Sequence, residues 1–291
     1  MTGLDGVWYT DGWDTNLKIL HRVNATLFDG ASDYQRIQVL DTASFGRMLV
    51  IDGLPQAAES DEGVYARAFT WPSLLARVGD TRVLITGGGD GHVAREALRF
   101  QGVTRVVVCD IDPLVTRVTR EHMPFMWGDA PRDSRLEVRH EDALAYLAAA
   151  AAGSFDVVIS DITDPSGEGT ASHHLYTDDY VRRIKRVLAP GGVCVAQAQE
   201  LSVRYASYHE RIRALLGPAF AHMRSSAVYV PSFGYPEGFV YASDERGALE
   251  LSTALVTERL RAAGLADDPL FDAAVYAAMF VLPPSRRGPP G

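Results

Sequence analysis

The densest chemistry in the sequence is Ser160-Asp161-Ile162-Thr163-Asp164-Pro165, which follows directly on the apolar run Phe155-Asp156-Val157-Val158-Ile159. Two carboxylates just past a buried strand lie where open α/β sheets bind ligands, beyond the carboxyl ends of the strands. Acids placed there can hold a cation, orient it, and accept or relay its proton. An aliphatic amine with a pKa of about 10 costs roughly 4 kcal/mol to expose as a free base near neutral pH, so such a nucleophile needs a group of this kind. A turn-and-cap cluster is the plainer account of the same residues, and a glycine loop upstream weighs against it.

That loop is Gly87-Gly88-Gly89-Asp90-Gly91-His92, set between the apolar run Val83-Leu84-Ile85 and a segment with apolar residues at Val93, Ala94, Ala97 and Leu98. Glycines between strand and helix let the backbone turn tightly and approach a ligand without Cβ clashes. His92 stands where a dinucleotide G-x-G-x-x-G needs its last glycine. Asp90 beside the turn disfavours a pyrophosphate and attracts a sulfonium or an amine. About twenty residues on, Asp110-Ile111-Asp112 ends the next apolar run, where an acid commonly takes ribose hydroxyls. These features favour a ligand like S-adenosylmethionine over NAD. Asp142 is expected to serve the adenine end, or else only to cap the alanine-rich helix that follows it.

The elements that must position these groups are legible as two patterns. Up to about residue 60, alternating segments at Leu17–Leu27, Tyr34–Leu40 and Met48–Ile51 are punctuated by Gly and Asp, which reads as antiparallel hairpins. From Arg82 onward, short apolar runs at 83–85, 106–108, 136–138, 157–159 and 193–196 alternate with helix-period segments. Strands buried on both faces and separated by helices make a parallel, doubly wound sheet. The expected fold is therefore α/β: a Rossmann-like, class I methyltransferase-type doubly wound sheet with a small N-terminal antiparallel β domain. Residues 1–62 form the β-hairpin domain, 63–282 the catalytic domain, and 283–291 a disordered or loosely docked tail rich in Pro, Gly and Arg. Asp112-Pro113 and Thr177-Asp178-Asp179 are helix starts, and a last amphipathic helix spans Glu245 to Ala263.

Composition narrows the class. A chain of 291 residues with 47% hydrophobic content fills a substantial core. Its two cysteines, Cys109 and Cys194, lie inside apolar runs, as suits buried reduced thiols rather than a disulfide or metal site. A formal net charge of -9 disfavours nucleic acid and favours a cationic substrate. No stretch is apolar enough to span a bilayer, and the N-terminus does not read as a signal peptide, so a cytoplasmic location is expected.

With these residues in view, the chain resembles the spermidine/spermine synthase family of polyamine aminopropyltransferases, with motif details nearest its thermospermine-synthase-like branch. The resemblance runs from about Asp33 to Pro284 and rests on Tyr34-Gln35-Arg36-Ile37, Leu49-Val50-Ile51-Asp52-Gly53 with Gln56 and Glu59, Asp61-Glu62 with Tyr65, the glycine loop, Asp110-Ile111-Asp112 and Asp161-Ile162-Thr163-Asp164-Pro165. It implies aminopropyl transfer from decarboxylated S-adenosylmethionine, as co-substrate, to a di- or polyamine, with release of methylthioadenosine. It also implies that Asp161 is the proton acceptor and that Tyr65 helps place the amine. Gly87, Gly89, Gln35, Asp110, Ile111, Asp142 and Ala143 would contact the nucleoside, and Asp90 the aminopropyl ammonium. Asp164, Gln56, Gln199 and Tyr235 would serve the amine. No metal is implied, and the assembly would be a homodimer or homotetramer.

Four departures from the family pattern fall on the amine side: Ala66 after Tyr65, Glu168 after Gly167, Phe233-Gly234-Tyr235-Pro236 in place of Pro-x-Tyr-Pro, and Gln199-Glu200 where a single Glu is usual. They keep open an S-adenosylmethionine-dependent amine methyltransferase or cyclase on the same scaffold, and a binding protein that has lost catalysis. Trp8, Tyr9 and Trp13 are candidates either for an amine groove through cation–π contact or for the β-domain core or a dimer contact. His173 and His174 are candidates for a gate or for plain exposed loop residues.

Overall fold

A computed structural model describes residues 5–163 and 172–286 of the chain. Five antiparallel strands come first, in spatial order: β1 (Val7–Thr10), β2 (Leu20–Ala31), β3 (Arg36–Thr42), β4 (Gly46–Ile51) and β5 (Leu54–Ala58). The β4–β5 turn is Asp52-Gly53, with φ of 49° and 78°. Two consecutive positive φ angles match the twist of a tight hairpin, which is why an Asp-Gly pair stands there. Period-two alternation gives the sheet two buried faces. Ile37, Val39, Leu49 and Ile51 pack towards the second domain, while Leu40, Met48, Val50 and Ala58 pack on the other side. Sequence patterning marked the three middle strands, and the short strands β1 and β5 flank them.

The second domain runs α1 (Glu62–Leu75), β6 (Thr81–Gly87), α2 (His92–Leu98), β7 (Val103–Cys109), α3 (Pro113–His122), α4 (Pro124–Trp127), β8 (Leu136–Arg139), α5 (Ala143–Ala149), β9 (Phe155–Asp161), α6 (Asp178–Val187), β10 (Leu188–Glu200), α7 (Ser207–Leu216), β11 (His222–Val230), β12 (Tyr235–Ser243), α8 (Thr253–Ala262) and α9 (Ala273–Met279). Its seven-stranded sheet has the order β11-β12-β10-β9-β6-β7-β8. The five strands from β6 to β10 are parallel, as their apolar runs predict. The parallel pattern stops at β10: β12 and β11 add an antiparallel hairpin on that edge. Both faces of the sheet are covered, Val83, Ile85, Val157 and Ile159 lying on one and Leu84, Val107 and Val158 on the other.

Side-chain caps set the helix starts. Asp112 accepts from the Leu114 amide at 2.9 Å and Thr177 from the Tyr180 amide at 3.3 Å. One expectation needs correction near the C-terminus. The helix expected from Glu245 begins only at Thr253, because Ser252 captures the Leu255 amide at 3.2 Å, while Leu249 and Leu251 are buried before it. Of the tail expected to be disordered or loosely docked, the described part is docked as far as Arg286, which closes a 3-10 turn and donates to the Ser202 and Val203 carbonyls, both at 2.9 Å. Among the described residues, no helix is long and apolar enough to cross a membrane.

Candidate active site

The glycine loop takes its shape from what presses against it. Gly87, at the end of β6, pairs with Asp161 at the end of β9 and has φ +78°. A Cβ on Gly87 would lie 1.9 Å from the Asp161 carbonyl oxygen, and one on Gly89 would lie 2.7 Å from the Asp110 carboxylate carbon. Only glycine tolerates the left-handed backbone at Gly87 and the close approaches at both positions. The Gly89 and Asp112 amides each donate to Asp110 at 2.8 Å, and the Thr116 hydroxyl donates to the Gly89 carbonyl at 2.9 Å. The acids at the ends of β7 and β9 are thereby drawn over one turn.

Around this turn opens a cleft of about 1140 Å³, open solvent at its mouth included. On the β7 side it is lined by Gln35, Cys109, Asp110, Ile111, Asp142 and Ala143, and in the middle by Asp90, His92, Tyr65 and Asp161. On the β12 side stand Asp11, Trp13, Gln197, Phe233, Tyr235 and Glu237. Six carboxylates face the cleft, and no Lys or Arg among the described residues does. Such a wall repels anions and collects cations.

The central acids are strained electrostatically. Burial pushes Asp90 up to about 6, and burial also lifts Asp110 to about 6 despite the two amides it accepts from. Asp161 is held well above the usual carboxylate range by burial first and by the nearby Asp90 charge second. The Tyr65 hydroxyl donates to Asp161 at 3.3 Å and pulls in the opposite direction. Tyr65 is fixed on α1 by ring contacts with Phe69, Phe239 and His92 at 5.5, 5.3 and 5.4 Å. His92 is buried and depressed to about 4, hence neutral at pH 7. One ligand atom each from Asp90, His92 and Asp161 fall within 4.8 Å of one another, so the two acids converge on a single point of the cleft.

Most residues singled out by sequence converge here: Tyr65, Asp161, Gln35, Gly87, Gly89, Asp90, Asp110, Ile111, Asp142, Ala143, Gln56 and Tyr235 all line the cleft. Asp142 fills both roles weighed for it, since it caps α5 by accepting from Ala145 and also lines the wall. His174 is on the wall too, 2.5 Å from Asp142, whereas His173 is not among the lining residues. Trp13 joins the wall, but Trp8 and Tyr9 turn instead to the carbonyls of Asp5 and Gly53. Asp164 and Glu168 lie outside the described residues.

Gln199 requires a correction. A bulge between Gln197 and Glu200 breaks the β10–β12 register and sets Gln199 at φ +55°, so Gln197, not Gln199, reaches the cleft. Glu200 is engaged elsewhere, with the Trp13 indole N–H at 3.3 Å and Arg204 at 2.9 Å. Ala66 is fully buried and not part of the wall. Sequence reasoning passed over Asp11 and Glu237, both buried and both in the wall. The available signal was an acid interrupting an apolar strand, in Glu237-Gly238-Phe239-Val240, and one beside Gly12-Trp13.

Comparison with known proteins agrees with this geometry. Residues 62–248 match a family model described as the spermine/spermidine synthase domain, and residues 7–59 one described as the spermidine synthase tetramerisation domain. The chain is 39% identical over 239 residues to a polyamine aminopropyltransferase of Aeropyrum pernix, covering 82% of this chain and 76% of that protein. It is 35% identical over 246 residues to a thermospermine synthase of Arabidopsis thaliana, covering 84% and 72%. Its fold matches a spermidine synthase solved with the transition-state analogue AdoDATO, with a TM-score of 0.85 at 23% identity over 96% of this chain and 93% of that one. A second match is the spermidine synthase of Thermotoga maritima, with a TM-score of 0.84 at 23% identity over 96% and 92%. The glycine turn, the acids gathered over it and the extent of these matches place the chain in the spermine/spermidine synthase family.

Proposed function

We propose that the chain is a polyamine aminopropyltransferase, moving the aminopropyl group of decarboxylated S-adenosylmethionine to an amine. The observation that carries the reading is the cleft centre, where Asp161, Asp90 and the Tyr65 hydroxyl meet beside the glycine turn in a wall free of described Lys and Arg side chains. Asp110, Gln35, Ile111, Asp142 and Ala143 hold the nucleoside, and Asp90 takes the aminopropyl ammonium. A carboxylate on the carbon that bears that ammonium, as in intact S-adenosylmethionine, would face Asp90 and be repelled.

Asp161 accepts a proton from the incoming amine while Tyr65 orients it. The freed lone pair attacks the carbon beside sulfur, the carbon–sulfur bond breaks, and its electron pair returns to sulfur as the neutral thioether of methylthioadenosine. An elevated carboxylate is matched to this task, being a better base than a solvated one. Among the supporting observations for assembly, the N-terminal match to a tetramerisation domain supports a homodimer or homotetramer. The two buried free cysteines support a reducing, cytoplasmic setting.

The test is mass spectrometry of products after supplying decarboxylated S-adenosylmethionine with putrescine, cadaverine, agmatine, spermidine and spermine in turn. One amine gaining an aminopropyl group, with an equal amount of methylthioadenosine, is expected. Turnover of only the intact S-adenosylmethionine, with a methylated product, would overturn the reading.

A further inference from the structure

The mechanism gives tasks to Asp161, Tyr65 and Asp90 but none to His92, which is 1% exposed and also lines the cleft. A dinucleotide loop would close on a glycine at this place, and here an imidazole fills it. Its ring lies against Tyr65, with centroids 5.4 Å apart and planes 25° from parallel. That contact fixes the ring, and the two nitrogens face different groups. Nδ1 is enclosed and turned to Glu62, 3.8 Å from Oε2. Nε2 lies on the Asp90 side, 3.7 Å from Oδ2. Both separations are longer than a hydrogen bond, and the buried Asp90 Oδ1 is likewise without a partner among the described residues.

A neutral imidazole carries one N–H and one bare lone pair. Glu62 is pinned by two 2.9 Å bonds from Arg95, so a proton on Nδ1 has a fixed carboxylate to face. Nε2 is then left as an acceptor on the cleft side. Burial depresses the ring to about 4, so this acceptor persists at pH 7. A cation at Asp90 reinforces the same tautomer, because an N–H on Nε2 would point towards it. One acceptor atom each from Asp90, His92 and Asp161 lie within 4.8 Å of one another. Three points no further apart than that share a centre at most about 2.8 Å from each, the length of a charge-assisted hydrogen bond. One cationic nitrogen can therefore reach all three.

Resting on the aminopropyl-transfer reading, we infer that His92 is a substrate-binding residue: Nε2 accepts a hydrogen bond from the aminopropyl ammonium and completes, with Asp90 and Asp161, a seat for its three N–H donors. A primary ammonium has one N–H for each acceptor. A carboxylate offers about four lone-pair sites, so Asp161 takes part here and still receives the proton of the incoming amine. Glu62 and Arg95 are positioning residues, since neither lines the cleft and both act on the Nδ1 side of the ring. Charge alone accepts any cation that fits. An uncharged acceptor beside two acids adds a demand for N–H donors, so the seat separates a primary from a quaternary ammonium. Space filling beside Tyr65 is the plainer account of the same ring, and it gives the ring nitrogen no part in binding.

The test is calorimetric binding, without an acceptor amine, of decarboxylated S-adenosylmethionine, its N,N,N-trimethyl analogue and methylthioadenosine, which has no ammonium. The full-length protein is compared with His92→Phe, which keeps a ring against Tyr65 and removes Nε2, and with His92→Gln, which keeps an acceptor. His92→Phe is expected to raise the Kd of decarboxylated S-adenosylmethionine roughly tenfold to a hundredfold, the range of one charge-assisted hydrogen bond, and to leave that of methylthioadenosine in place. His92→Gln is expected to recover part of the loss, and neither variant to change the Kd of the trimethyl analogue. Equal Kd for the primary and trimethyl ammonium in the unmodified protein overturns the inference, and this arm needs no variant to fold. A His92→Phe loss of the same size for methylthioadenosine also overturns it, as the mark of a ring that only shapes the site. A protein that transfers aminopropyl groups, with affinities unchanged in His92→Phe, overturns this inference and leaves the proposed activity standing. A protein with the expected affinities that alkylates no amine overturns the activity and leaves the ammonium seat standing.

Discussion

Gly87 and Asp161 face each other across β6 and β9 so closely that any Cβ on the glycine would sit 1.9 Å from the Asp161 carbonyl oxygen. The candidate base and the glycine turn are therefore one unit of backbone packing. Gly87→Ala is expected to lose at least a hundredfold in kcat/KM and roughly 2 kcal/mol or more of stability, through positive-φ strain plus the forced movement of Asp161. Gly264 supplies the comparison, having φ +72° but nothing within 4 Å of a Cβ. Its alanine variant should cost about 1 kcal/mol in urea unfolding and leave turnover alone. Equal losses at both sites would show that backbone strain alone is at work.

Replacing Asp161 by Asn keeps the shape and removes the proposed base. A fall in kcat of roughly 10² to 10⁴ is expected, with methylthioadenosine still raising the melting temperature. Unchanged turnover would remove Asp161 from the mechanism.

The Tyr65 hydroxyl lowers the pKa of Asp161 by donating to its charged form. Tyr65→Phe withdraws that bond, so the Asp161 pKa moves further up, and the acidic limb of the pH profile of kcat/KM is expected to shift to higher pH. A limb that stays in place, or moves down, counts against the pairing.

Asp90 titrates at about 6 in the folded protein, above the usual carboxylate value near 4, because burial penalises its charge. With the folded value raised, its favourable contribution is complete below the unfolded pKa and is lost as pH rises through about 6. Asp90→Asn has no such titration. The stability of the variant relative to the unmodified, unliganded protein should therefore increase between pH 4 and pH 7, by roughly 1 to 3 kcal/mol. Urea unfolding across that range measures it, and a gap independent of pH would contradict the assigned cause.

Much of the site was legible because its signals are local. The turn Gly87-Gly88-Gly89-Asp90-Gly91 and the strand-terminal Asp161 advertise themselves by residue type and by the apolar runs before them. Backbone at positive φ favours glycine, and acids at strand ends recur where ligands bind. Caps such as Asp112, Asp142 and Thr177 are equally local, since each captures an amide within three residues.

What depends on register was not legible. Gln199 was expected in the cleft and Gln197 lines it instead, because a bulge in β10 breaks the alternation that would have carried Gln199 there. Glu237 and Asp11 gave little sign of themselves, since an acid in a strand or loop declares a partner only when another element is laid beside it. The sequence by itself determined the N-terminal hairpins, the parallel core, the glycine turn and the place of Asp161 at a strand end, all of which rest on short-range pattern and backbone conformation. Only the tertiary structure decided which side chains form the β12 side of the cleft, because that wall is built from segments some two hundred residues apart, Trp13 and Glu237 among them, and its spacing comes from sheet geometry that no local pattern encodes.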